Sequence, residues 1–161
     1  MSQVGSFGVN YTKSYGTDPS IVEFAPLNVG ANTKGSWIFV KASAAIAQYA
    51  WVGVDGEGDA AELTTTTYAS SSIIGVAQVA LGSGEYGWIW TGNGGGTSSG
   101  IKGKVAASYV AFALINTTGT AGVADDAATK ILGGVVGLTT DGGSGSSIEL
   151  HAASFITKVT A

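Results

Sequence analysis

Hydrophobic residues in this chain fall in short runs separated by glycine-rich turns. Trp37-Ile38-Phe39-Val40 is a run of aromatic and β-branched residues bounded by Gly35 and Lys41, the composition of a strand. Residues 46–54 and 73–80 are further apolar runs, and Tyr49, Trp51, Val52 and Val54 favour strand over helix in the first of them. Residues 86–90 alternate, with Tyr86, Trp88 and Trp90 on one face; residues 101–105 alternate with Ile101, Gly103 and Val105 inward and Lys102 and Lys104 outward. Residues 109–115, 131–136, 148–152 and 155–159 complete the set. Turns are signalled by Gly56-Glu57-Gly58, Gly82-Ser83-Gly84, Gly94-Gly95-Gly96 and Asp141-Gly142-Gly143. The pattern predicts an all-β fold, a small β-sandwich or barrel of about eight to ten short strands. At most one short helix is expected, over 125–131, capped by Asp125.

The apolar pattern also repeats. Gln48-Tyr49-Ala50-Trp51-Val52 has a counterpart in Ala111-Phe112-Ala113-Leu114-Ile115. Ile73-Ile74-Gly75-Val76-Ala77 returns as Ile131-Leu132-Gly133-Gly134-Val135, and Tyr86-Gly87-Trp88-Ile89-Trp90 is echoed by Ser146-Ser147-Ile148-Glu149-Leu150. Two imperfect copies, about 41–92 and 102–152, therefore lie within a β domain spanning 36–161. They repeat hydrophobic positions and not polar ones, which is the mark of a module built to pack and present surface. Residues 94–99 form a low-complexity hinge or tip between the copies.

Residues 1–35 differ from the rest. They hold both prolines, Pro19 and Pro26, and the scattered aromatics Phe7, Tyr11, Tyr15 and Phe24. No period persists, so the segment reads as an extended N-terminal arm with a short strand at 21–24. Its aromatics imply that it is tied down, either on its own domain or on a neighbouring molecule.

Composition sharpens this picture. Charged residues make up 11% of the 161 residues, against about 25% in ordinary soluble domains, and the mean hydropathy is +0.30. No apolar run approaches the about 20 residues of a membrane helix, so the apolar character implies contact surface and a protein partner. The net charge is −4 and all seven basic residues are lysines. A chain without arginine forks and with a pI of about 4.7 is not expected to bind nucleic acid. Cysteine is absent, which removes disulfides and thiolate metal sites, and no secretory signal is evident near Met1.

Motifs with chemical meaning are few. Gly82-Ser83-Gly84-Glu85-Tyr86-Gly87 spells a dinucleotide fingerprint, but Trp88-Ile89-Trp90 follows it as strand, where the pyrophosphate needs a helix N-terminus. Gly94-Gly95-Gly96 lacks the lysine and hydroxyl of a phosphate loop. Asp55, Glu57, Asp59 and Glu62 begin like a calcium loop, yet Ala60 and Thr66 stand where that loop needs its glycine and its bidentate glutamate. His151 is the single histidine and no nucleophile elbow accompanies it. Glu85, Glu149, Asp125 and Asp126 are the carboxylates a glycosidase would have to pair. The Tyr86/Trp88/Trp90 stripe could serve as a sugar platform, although a buried wall is the stronger reading. No enzyme, cofactor or metal is expected, and a carbohydrate-binding or adhesin-type module is the alternative to a packing protein.

The runs Ile73-Ile-Gly-Val-Ala-Gln-Val-Ala, Gly84-Glu-Tyr-Gly-Trp-Ile-Trp, Lys104-Val-Ala-Ala and Thr118-Gly-Thr-Ala-Gly-Val-Ala-Asp-Asp resemble head decoration (capsid cement) proteins of tailed bacteriophages. Trp37-Ile-Phe-Val-Lys-Ala-Ser-Ala-Ala-Ile-Ala-Gln-Tyr looks like their opening strands, so the resemblance covers about 35–155. It implies a structural virion protein, made in the host cytoplasm and placed on the capsid exterior, that bridges major capsid protein subunits as a homo-oligomer, a trimer in preference to a dimer. It brings no catalytic residues, no nucleic-acid partner and no membrane. On this reading Phe7, Tyr11, Tyr15 and Phe24 are the candidate capsid-contacting residues of the arm, and another virion component, such as a tail protein, is a further alternative.

Overall fold

The structure, a computed structural model, describes residues 9–21, 24–94, 100–107, 109–126, 130–141 and 146–159. It is all-β. The strands are β1 (Val29–Asn32), β2 (Gly35–Ala42), β3 (Trp51–Val54), β4 (Asp59–Glu62), β5 (Ile73–Ala77), β6 (Tyr86–Gly92), β7 (Lys102–Lys104), β8 (Leu114–Thr117), β9 (Ala124–Asp125), β10 (Lys130–Gly137), β11 (Ser147–His151) and β12 (Thr157–Lys158). A three-residue 3-10 turn at Pro19–Ile21 is the one helical element among the described residues.

The first sheet runs β1-β2-β4-β3-β5-β6, and β6 returns to pair with β2. The path β2-β4-β3-β5-β6 is thus a closed five-stranded barrel with β1 added beside β2. Closure depends on one parallel contact, Lys41↔Asp59 and Ala42↔Ala60, beside the long antiparallel β2–β6 ladder. The second sheet runs β7-β11-β10-β8-β9, with β12 on β10, and a single parallel bridge, Val105↔Ala124, brings its ends together.

The two sheets are copies of one topology. Lys41 faces Tyr86 in the first as Lys104 faces Ser147 in the second. Trp51 faces Val76 as Leu114 faces Val136. Tyr49 and Phe112 hold the same left-handed backbone, φ 65° and 63°, and each donates its N–H to the strand end opposite, Ala77 and Gly137. The two sheets therefore correspond strand by strand, and the correspondence departs from the apolar spacing of the sequence at two places. Tyr86 corresponds to Ser147 rather than Ser146. Ile73 corresponds to Lys130 and Val76 to Val136, because β10 shifts register between Leu132 and Val136, where Gly134 takes φ +82°.

The first barrel is apolar on both sides. Ile38, Val40, Ala42, Val52, Val54, Ala77 and Ile89 fill its interior, with Ile46 and Leu81 bridged across one end. Trp37, Phe39, Trp51, Ile74, Val76, Trp88 and Trp90 point outward, and all are buried. The outer shell is one continuous core with the interior of the second barrel, through Ile101, Val105, Ile115, Ile148 and Leu150. Trp51 joins the two. A Cβ on Gly103 would lie 3.2 Å from its ring, and its indole N–H donates to the Lys104 carbonyl at 2.9 Å. Val40 opposite Gly87 in the first barrel becomes Gly103 opposite Ile148 in the second; the bulky residue changes strand and leaves room for the indole.

Several local expectations change. The strand expected at 21–24 is not formed: Ile21 closes the 3-10 turn, Phe24 lies in a bend, and 22–23 lie outside the described residues. The strand of that region is β1, within the segment expected to be wholly an arm. The helix expected over 125–131 is excluded at both ends, because Asp125 ends β9 and Lys130 begins β10, with 127–129 outside the described residues. Residues 46–50 and 109–113 form loops rather than strand, since the left-handed residue in each breaks the extended chain. Parts of the turns at 94–96 and 141–143 also lie outside the described residues.

Trp51→Ala is expected to destabilise the chain by about 3–5 kcal/mol, the cost of removing a large buried aromatic. Urea unfolding monitored by circular dichroism checks this; a loss below about 1 kcal/mol would mean that Trp51 does not couple the repeats.

Candidate docking surface

The arm lies on its own domain. Tyr11 stacks on Trp37 with ring centroids 4.6 Å apart. Tyr15 meets Phe39 edge-on at 5.3 Å, and Phe24 packs on Trp88 at 5.0 Å and Phe39 at 5.4 Å. Backbone bonds fix this placement: Tyr15 and Tyr86 are joined through Tyr15 N–H to Tyr86 O and Tyr86 N–H to Gly16 O, and Leu27 N–H donates to Phe39 O. Gly30 is needed at the crossing, since a Cβ there would sit 2.5 Å from Val9 and 3.1 Å from Trp88. Of the four aromatics expected to meet a capsid, Tyr11, Tyr15 and Phe24 are half-buried against the aromatic wall, and Phe7 lies outside the described residues. The aromatic wall needs cover, and the arm supplies it.

The same burial decides the sugar-platform question. Trp88 is 2% exposed and Trp90 fully buried, so the stripe has no free face on which a sugar could stack.

The remaining motifs resolve into turns. Glu85 N–H donates to Gly82 O at 3.1 Å, and Gly84 adopts φ +80°. The Glu85 carboxylate accepts from Gly82 N–H at 2.7 Å and from the Ser14 hydroxyl at 2.8 Å, which ties the arm to this turn. Those two bonds hold its pKa below the ordinary carboxylate value, the Gly82 bond contributing most. Asp55 accepts from the N–H groups of Glu57 and Asp59, a self-closed acidic turn. Glu62 accepts from Ala47 N–H, and Asp126 from Val110 N–H. No group of three or more metal-ligating side chains occurs among the described residues, and no helix there is long and apolar enough to cross a membrane.

Exposed apolar side chains form the remaining feature. Val29 (74% exposed) and Phe155 (52%) flank a groove of about 290 Å³ walled by Trp37, Ile38, Ile73 and Ile156. Val110, Phe112 and Leu114 stand on the second barrel, beside an apolar groove of about 270 Å³ lined by Leu114, Leu132, Val136 and His151. Nothing in the sequence sets these residues apart, because they lie in runs indistinguishable from core strands.

No family model matches the chain, and no curated protein matches it.

Acid should loosen the arm. A carboxylate whose folded pKa is depressed contributes stability that is complete above its unfolded value, about 4.3, and is lost as pH falls through the folded value. Tryptophan emission is expected to shift red below about pH 4 as the wall beneath Tyr11 and Phe24 is uncovered. Glu85→Gln should weaken this pH dependence, and an unchanged titration curve in that variant would show that the Ser14–Glu85 tie does not hold the arm.

Proposed function

We propose that this chain is a structural virion protein that binds the outer surface of a tailed-phage capsid as a homo-oligomer and stabilises the shell by bridging neighbouring major capsid subunits. The observation that carries the reading is the pair of exposed apolar grooves on a chain with only 11% charged residues. Such surface is costly to leave in water, and contiguous patches of it mark docking sites. The resemblance of residues 35–155 to capsid cement proteins supports the same conclusion. So does the character of the polar motifs, which serve as turns and ties within the fold.

The groove between Val29 and Phe155 is the best placed for the capsid. It lies beside β1, which pairs only with β2 among the described residues and so leaves its other edge open. An open edge can accept an extended segment while the adjoining groove takes apolar side chains from it. Apolar burial contributes roughly 25 cal/mol per Å² before association costs are counted. Repetition over many sites multiplies a modest individual contact through avidity. The arm takes an indirect part, since its side chains cover Phe39 and Trp88 and it leads directly into β1.

Purified chain added to expanded heads that lack it should saturate a fixed number of sites, seen by electron microscopy. Phe155→Asp, at a half-exposed position, should reduce affinity at least about tenfold, as expected for an apolar anchor, with the circular dichroism spectrum unchanged. Absence of the chain from heads at saturating concentration would overturn the proposal.

A further inference from the structure

The duplication gives each surface of one repeat an equivalent on the other, and the two copies differ in what covers them. In the first repeat the face carrying Tyr49, Trp51, Val76 and Gln78 lies beneath the second repeat. The Trp51 indole N–H donates to Lys104 O, the Gln78 amide donates to Lys102 O at 2.8 Å and accepts from Lys102 N–H at 3.0 Å, and Lys102 sits 5.8 Å from the Tyr49 ring. In the second repeat the same positions are Phe112, Leu114, Val136 and Leu138. Phe112 is 69% exposed and Leu114 58%.

The loop that carries this face is fixed in place. Val110 N–H donates to Asp126, Ala111 N–H to the Thr140 hydroxyl, and Phe112 N–H to Gly137 O. The Tyr109 hydroxyl donates to Ala113 O at 2.8 Å and accepts from Gly137 N–H at 3.1 Å. A bulky residue is thus held outward at φ 63°, a backbone region unfavourable for such a side chain. A rigid apolar projection loses little entropy on docking.

We propose that a second copy of this chain covers this face about a two-fold axis, with Phe112 and Leu114 of each copy packed against the other. The first repeat supplies the precedent, since a copy of the same module buries the equivalent face. The head-to-tail arrangement used inside the chain is closed to a second molecule. The surface it would need, the outer face of β2 and β6 in the first repeat, is sealed by Tyr11, Tyr15 and Phe24. Val40 also stands where Gly103 admits the indole. The groups that clamp β7 are replaced by hydrocarbon, Trp51 by Leu114 and Gln78 by Leu138, so the face no longer has the side-chain hydrogen bonds that grip a strand. A patch of this kind can meet its own like, and like faces meet across a two-fold axis, which closes the assembly at two copies.

The inference rests on the many-copy part of the proposed function and specifies its symmetry, but its test needs no capsid. Sedimentation velocity of the full chain over a concentration series should give a monomer–dimer equilibrium. Phe112→Asn, an exchange suited to left-handed backbone, and Leu114→Asp should each raise the dissociation constant at least about tenfold, while Val29→Asp on the other groove leaves it unchanged. A monomer at every concentration overturns the proposal. So does a trimer or an open series, which would indicate head-to-tail contact with the arm displaced. Dimers dissolved by Val29→Asp and kept by Leu114→Asp would place the interface elsewhere. A dimer that never coats heads defeats only the capsid reading, and a monomer that coats them defeats this inference and the homo-oligomer clause of the proposed function while leaving capsid binding in place.

Discussion

Burial of the aromatic outer wall of the first barrel is the constraint on which the rest of the structure depends. A five-stranded barrel satisfies its backbone by closing β6 onto β2, and its small interior is filled by aliphatic side chains. That would suffice if the outward positions were polar, as in a barrel standing alone. Here they are Trp37, Phe39, Trp51, Trp88 and Trp90, aromatics of roughly 150–250 Å² each. Two covers are recruited, the N-terminal arm over Trp37, Phe39 and Trp88, and the second repeat over Trp51. Strands β3, β5 and β6 consequently show no alternation of buried and exposed residues, and β6 is buried along its entire length.

The second repeat pays for its role as a cover with a less regular barrel. Its closure is a single bridge, and β10 carries a bulge. Its interior is shared with the first repeat, whose Trp51 stands beside Gly103. The exchange of Val40/Gly87 for Gly103/Ile148 shows how one module is adapted to two environments. The residue pair across the β2–β6 or β7–β11 ladder keeps one bulky and one minimal member, and only the strand that carries the bulk changes. Tyr109 replaces Ile46 in the same spirit, and its hydroxyl satisfies Gly137 N–H at the end of the irregular strand.

Much of this was legible in the sequence, and the failures have physical causes. β2, β5 and β6 were readable because aromatic and β-branched residues concentrate there. The correspondence of the two sheets follows the apolar spacing except at the bulge in β10, where inserted residues break it without disturbing composition, and at Tyr86, which corresponds to Ser147, one residue later. β4 was missed because Asp59-Ala60-Ala61-Glu62 has no strand-forming side chain; its pairing with β2 and β3 makes it a strand. The helix expected over 125–131 failed for the converse reason, since local capping and alanine content yielded to pairing of β9 and β10 with β8. The arm's aromatics were recognisable as anchors, but not their target, because nothing local distinguishes a wall on the same molecule from one on a neighbour. Phe112 and Leu114 were hidden most completely. Their run looks like that of Tyr49 and Trp51, and only the tertiary fold reveals which copy is covered.

That asymmetry is a consequence of tandem duplication itself. Two modules joined head to tail bury one face of each and leave one free face at either end. At the first repeat the free face is closed by Tyr11, Tyr15 and Phe24 of the arm. At the second repeat β12 runs back along β10 toward the first repeat, where Lys158 donates to the carbonyls of Tyr68, Ala69 and Ser71, and the Phe112 face is left exposed. Its free face has instead changed composition, losing an indole and an amide and retaining hydrocarbon. Exposure of Phe112 and Leu114 on a hydrogen-bonded loop is the difference between the two repeats on which the proposed two-fold contact rests.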